Sequence, residues 1–547
     1  MFRLLPLLLA TLACSTLLPA ATPTRPPATT FPPTAFPSLT PRATRPPAAA
    51  PVPTEPPASP PGDILFQPGP FLYSGDLVSL AVVGQPAWRN AQVTVFYGDP
   101  SDGVPVSNGA FGTFGLGGRP QATFWWAWDT AGLTGDQTLT AVVTPAAGGA
   151  PLATLTRTVK LWPADQRPQP EPQARWAQAE SACCVFHYLT GTAAARDIDS
   201  IKTEADEAFT RLEAALGVQP RAKVAFTFLS RLLGHGGFAD DEIYITYIDR
   251  NPAGLDLPTV FVHEGAHILD RQITEARPAM LAEGLAVFVA GGHYHPEDLQ
   301  RRAAALLTLD RYIPLRDLAR DFYNAQHEIG YLEAGAFIQY LVEAYGWEQF
   351  RAMYAAFPAN VDDARMVADG LAAHYGRPLE ALEAEWLARL RAQPADPDEA
   401  AHLRLTLALY DTLRRYQQLN DPAAYFLTAW LPNGPEARRR GVTADFLRSP
   451  HAAENIALEA MLAAAEQALT RREFAAAEDL ITAVNRVLEA RNLFFDPLAA
   501  RYLRAVTDLA ARGYELQTLE LAGARPQAWA IRDWPTLENI PLYNSGQ

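Results

Sequence analysis

Two histidines and two glutamates set out the chemistry open to this chain. In Val262-His263-Glu264-Gly265-Ala266-His267-Ile268-Leu269-Asp270 the histidines stand four residues apart. On an α-helix they share one face, roughly 6 Å apart along the axis. Two imidazoles at that separation can hold one zinc ion, with Glu264 one step round the helix beside the open coordination position. The neighbours Val260, Phe261, Val262, Ala266, Ile268 and Leu269 are apolar, so the helix is expected to be buried on most sides. A His-Glu-His face in such surroundings needs a partner for its polar groups, and a metal supplies one.

A zinc site needs a third protein ligand. The layout in which glycine and then histidine follow the second ligand at fixed steps is excluded, because Asp270 and Ile273 occupy those positions. Glu283, in Ala279-Met280-Leu281-Ala282-Glu283-Gly284-Leu285-Ala286, fits better. The first helix should run about six residues past His267, roughly 9 Å, before a turn at Ile273–Arg277. Pro278 then starts the next helix, as proline favours a first turn. An antiparallel return of roughly 7–8 Å brings Glu283 back to the level of the histidines. A carboxylate in so apolar a segment would be costly without a partner; the other reading is a surface-facing glutamate. With zinc lowering the pKa of a bound water and polarising a carbonyl, Glu264 would move the proton from the water to the leaving amine.

These residues resemble the gluzincin zinc metallopeptidases, in particular the short peptidase MA-like domains of bacterial proteins. His263–His267 matches their first zinc helix, and Ala282-Glu283-Gly284-Leu285-Ala286 their second, over about Cys183 to Phe357. Glu283 lies nearer to His267 than in thermolysin-like or aminopeptidase-like members. The resemblance implies a peptide or protein substrate and a central α+β, thermolysin-like domain, with the site between a sheet edge and a helical lobe. It makes Ile243–Tyr247 the edge strand, with Ile243, Tyr244 and Ile245 the residues that pair with an extended substrate. Gly330–Leu341 is similar to the helix that carries a transition-state tyrosine in gluzincin aminopeptidases, and Tyr331 is the matching position. A phenol there can donate to an oxyanion; a packed aromatic at a helix start is the other reading, with His327 next in line for the donor role. His293 and His295, after Gly291-Gly292, are read as exposed loop histidines, with ligation or substrate contact as the alternative. The motif that grips a free N-terminus in aminopeptidases is not evident, which favours endopeptidase action.

The elements that must position these groups fall into a multidomain chain. With 547 residues, about two to four domains are expected. Residues 1–20 read as a signal peptide: Arg3 precedes an apolar run too short to cross a bilayer. Thr11-Leu12-Ala13-Cys14 resembles a bacterial lipobox, with Thr11 where Leu or Val is usual; lipid attachment at Cys14 to a membrane and free secretion both stay open. Residues 21–62, mostly Pro, Thr and Ala, form a solvated spacer. Residues 63–165 read as a β-sandwich, with short strands at Leu77–Val83, Ala91–Phe96 and Thr138–Val143. Trp128–Asp136 resembles a turn of bacterial immunoglobulin-like modules, and Trp125, Trp126 and Trp128 are assigned to core and rim packing.

Residues 175–395 form the expected metallopeptidase domain. It has strands near Cys183–Tyr188, Val224–Leu229 and Glu242–Tyr247 and a helix at about Asp199–Leu216. Residues 398–547 read as mainly helical, with a terminal hairpin around Gly523. Cys183 and Cys184 read as two small apolar residues on a buried strand. The net charge of −15, without a basic stripe, argues against nucleic acid as a partner. The competing reading is a non-catalytic envelope protein that keeps a peptidase-like fold for binding or scaffolding.

Overall fold

The computed structural model describes residues 62–69, 71–114, 119–168, 170–234, 236–249, 251–252, 256–359, 361–425, 433–512, 514–522, 525–533 and 539–540. The signal peptide, Cys14 and all but the last residue of the expected spacer lie outside the described residues. No helix among the described residues is long and apolar enough to cross a membrane.

The N-terminal part is two facing sheets. One orders Ile64–Gln67, Leu77–Val83, Arg119–Asp129 and Gly112–Phe114; the other orders Leu72–Tyr73, Ala153–Trp162, Gly135–Thr144, Gln92–Tyr97 and Val104–Ala110. Side chains alternate across a strand, so Val78, Leu80 and Val82 of the first sheet meet Val93, Val95, Leu139, Ala141 and Val143 of the second in one core. The other face of Leu77–Val83 is buried too: Ser79 Oγ accepts from Trp126 N–H at 2.7 Å. That explains the weaker alternation of this strand. Trp126 and Trp128 are buried and Trp125 is exposed. Trp126 also donates through Nε1 to Asp445 (3.1 Å), so its packing reaches far beyond the β-module.

The central part is a mixed five-stranded sheet in the order Trp176–Glu180, Cys184–Leu189, Val224–Leu229, Ile243–Thr246 and Gly237–Ala239. The middle three strands run parallel and the outer two antiparallel to them. Ile243, Tyr244 and Ile245 therefore do not form the edge: their strand is hydrogen-bonded on both sides and all three side chains are buried. The edge is Gly237–Ala239, which folds back antiparallel on them. The helix on the sheet spans Ala193–Leu216, six residues longer at its start than expected. Thr192 Oγ1 caps it by accepting from Ala195 N–H, and Gly217 (φ 65°) closes it. Ile201, Ala205, Ala208, Phe209, Leu212 and Leu216 form its buried face. Cys183 and Cys184 form a disulfide, in place of the two free thiols expected from the difficulty of closing adjacent cysteines.

The expected boundary near residue 395 is bridged by a helix, Pro397–Asn420. Its Leu403 and Leu407 join the peptidase core, and Leu405 and Leu409 join the core of helices Ala453–Thr470, Phe474–Glu489 and Pro497–Ala511. Strands Tyr514–Ala522 and Arg525–Asp533 pair antiparallel as the expected terminal hairpin. Arg448 ties the regions together. Buried, it meets Asp76 of the β-module at 2.5 and 2.8 Å and Glu171 of the following turn at 2.6 Å. Breaking such a buried pair costs about 3–5 kcal/mol, so the β-module is fixed to the rest rather than tethered.

Candidate metal centre

The first histidine helix spans Leu257–Leu269, and Asp256 caps it by accepting from Thr259 N–H (3.1 Å). A short turn, Asp270–Gln272, ends it, and the return helix spans Ala279–Ala290 with Pro278 at its N-cap. Glu283 thus stands on the second turn of an antiparallel neighbour, as the spacing requires. Gly284 makes the depth possible on its other side. A Cβ there would lie 2.7 Å from the Ala334 carbonyl oxygen, and one on Gly335 would lie 2.4 Å from Val287 Cγ1. The helix His327–Tyr345 therefore crosses the return helix closely and carries Tyr331 to the same cleft.

The three sequence-derived ligands converge. His263 Nε2 lies 3.5 Å and His267 Nε2 3.1 Å from Glu283 Oε2, and one ligand atom from each residue lies within 4.8 Å of the others. Donors around one tetrahedral zinc ion are about 3.3–3.5 Å apart, so these residues fit the ion. His263 and Glu283 are buried and His267 is nearly so. Burial opposes a charge on His267, but the Glu283 carboxylate outweighs it and raises the His267 pKa to about 9. Burial likewise pushes Glu283 up, and the two imidazoles overcome it and hold its carboxyl well below the usual range. Glu264, also buried, is pushed up by desolvation against the pull of both histidines. It lies beside the three residues that could hold a metal and is not one of them.

The Gly237–Ala239 edge lies against Glu264. A Cβ on Gly237 would be 2.9 Å from the Tyr244 carbonyl oxygen and 3.2 Å from Glu264 Oε1, so only glycine allows the strand this near. Phe238 stacks on Tyr244 with centroids 4.5 Å apart, and the Tyr244 hydroxyl accepts from Gly434 N–H (2.8 Å). The strand thus has firm backing. Tyr331 is buried, with its phenol pKa raised well above normal by desolvation and then by Glu283, so it stays a donor. Its ring stacks on His293 at 4.0 Å and lies 6.2 Å from His263.

Two further groups reach the site, one of them only an alternative in the sequence. His293, assigned to an exposed loop, turns inward. Its ring is 5.1 Å from both His263 and His327, and its Nδ1 is buried without a hydrogen-bond partner. The loop is pinned where Asp256 N–H donates to the Tyr294 carbonyl (3.1 Å) and Tyr294 Oη meets His327 Nε2 (2.8 Å). Tyr323, in the turn Phe322–Asn324, donates to Glu283 Oε1 at 2.9 Å. A lone tyrosine in a turn carries no periodic signal; only the apolar company of Glu283 hinted that its second oxygen would need a donor. His295 is partly exposed, as expected, near Glu297.

Residues 209–392 match the sequence model of the Peptidase MA superfamily. The stretch starts within the helix on the sheet and ends after helix Leu379–Arg391, beyond the segment that carried the sequence resemblance. It contains His263, Glu264, His267, Glu283, His293, Tyr323 and Tyr331. This part of the chain is a peptidase MA-type domain. No curated protein matches the chain.

Proposed function

We propose that the chain is an exported zinc metallopeptidase of the gluzincin type that cleaves peptide bonds within extended polypeptides. The observation that carries this is the convergence of His263, His267 and Glu283 with Glu264 free beside them, under an antiparallel sheet edge. Zinc held by those three would supply a Lewis acid that activates water and polarises the scissile carbonyl. Glu264 takes the proton from the attacking water and passes it to the leaving nitrogen; burial raises its pKa, which favours its holding that proton between the two transfers. Tyr331 donates to the developing oxyanion, with His293 and His327 stacked around it. The substrate backbone extends the sheet along Gly237–Ala239.

The β-module is read as immunoglobulin-like, because its first strand is split between sheets and Leu72–Tyr73 runs parallel to Ala153–Trp162. Export rests on the leader alone, with Cys14 as the lipid attachment point if it is acylated. The test is Glu264→Gln in the full chain, assayed on a broad peptide library. Turnover should fall by about 10²–10⁴-fold with bound zinc unchanged. Undiminished cleavage removes Glu264 from its role. A wild type that binds zinc yet cleaves nothing favours the scaffold reading.

A further inference from the structure

We infer that a second cavity, between the peptidase domain and the C-terminal helices, binds a small organic cation: an ammonium or guanidinium group on a short hydrocarbon chain. The cavity has a volume of about 390 Å³ and lies where the loop before helix Leu299–Thr308 meets helices Pro397–Asn420 and Ala453–Thr470. That volume is within the range of small-molecule sites. None of its lining residues is a proposed zinc ligand, so the inference does not rest on the peptidase reading.

The charges around it do not balance locally. Arg302 is buried and ion-paired, 2.9 Å from Glu297, 3.0 Å from Glu399 and 2.7 Å from His402 Nδ1. Arg472 pairs with the other Glu399 oxygen at 2.9 Å, and Arg301 pairs with Asp396. Every arginine in the lining is therefore neutralised already. Because His402 accepts from Arg302 through Nδ1, it is neutral and presents only an N–H at Nε2. Glu466 is different. Its carboxylate accepts from the Thr470 hydroxyl (3.2 Å); His295 and Arg471 attract it through space, but no lysine or arginine ion-pairs with it among the described residues.

Burial raises the pKa of Glu466 above its ordinary value against the pull of His295, Thr470 and Arg471, so its desolvation is only partly offset. Beside it, Leu409 and Leu469 give an apolar wall and Tyr410 an aromatic one. A cation with a hydrocarbon arm would satisfy both surfaces. An anion would face Glu466 with no free arginine to offset it.

Isothermal titration of the full chain with n-butylammonium and n-butylguanidinium tests this, with butanol and butyrate as neutral and anionic counterparts. One cation per chain should bind saturably, and Glu466→Gln should weaken it by about tenfold or more. If that variant misfolds by circular dichroism, Leu469→Phe, which narrows the apolar wall, should abolish binding instead. Equal cation binding by folded Glu466→Gln, preference for butyrate or butanol, or no saturable cation binding would each overturn the inference.

Discussion

The His263 cleft and the Arg302 cavity are built from the same parts, histidine and glutamate on closely packed helices, and differ in what neutralises the glutamates. In the cavity, Arg302 stands between Glu297 and Glu399. In the cleft, no lysine or arginine ion-pairs with Glu283 among the described residues; two imidazoles and the Tyr323 hydroxyl reach it. The histidines report the contrast. His402 is driven down to about 4 by burial and the Arg302 charge, while His267 rises to about 9 because Glu283 outweighs its burial. A buried imidazole takes its charge state from its neighbour, and among the described residues no permanent cation pairs with Glu283 in the cleft.

After the loss of turnover in Glu264→Gln, the next largest effect should come from removing the permanent cation. Arg302→Met leaves Glu297 buried without its arginine and Glu399 with Arg472 alone, and should lower unfolding stability by about 3–5 kcal/mol, read from denaturant midpoints. Glu283→Gln in chelator-treated protein at pH 8 should cost less, because His267 can then release its proton and leave both imidazoles neutral. Equal costs would break the comparison.

A pH difference sharpens it. The His402 pKa lies below its unfolded value of about 6.5, so between about 6.5 and 4 the unfolded chain binds more protons. Its contribution is fully present above about 6.5 and is lost as the pH falls toward 4, about 3 kcal/mol in all. His402→Asn, which keeps an acceptor for Arg302, should flatten that part of the stability profile relative to wild type. Parallel profiles would contradict the assignment. The smallest effect concerns Tyr323, whose hydroxyl holds the second oxygen of Glu283. Tyr323→Phe should weaken zinc binding about 10–100-fold in competition with a chelator, with no change in thermal stability of the metal-free protein; unchanged affinity would make the contact incidental.

Much of the proposed metal centre was legible because its ligands lie on two adjacent helices. The four-residue spacing of His263 and His267 and the return length to Glu283 are local arithmetic. The sheet edge was misread because Ile243–Thr246 looks like a strand, whereas Gly237–Ala239 is three residues with no alternation, held by pairing on its neighbour. Tyr323, Trp126–Asp445 and Arg448–Asp76 were out of reach for another reason. Their partners are 40, 319 and 372 residues away, and no local pattern encodes such pairs. His293 was assigned to solvent because its loop is short and glycine-rich, and the backbone bond to Asp256 that turns it inward is invisible in sequence. The two-sheet module and the C-terminal helices followed from periodicity, but the bridging helix that fuses the latter to the peptidase core reads as an ordinary amphipathic helix.

The most direct test of the account is elemental analysis of the purified full chain, comparing wild type with Glu283→Ala. About one zinc per chain in the wild type, lost in the variant, is the predicted result. No zinc in the wild type after incubation with added metal, or zinc fully retained by the variant, would contradict the three-ligand centre on which the proposed chemistry stands.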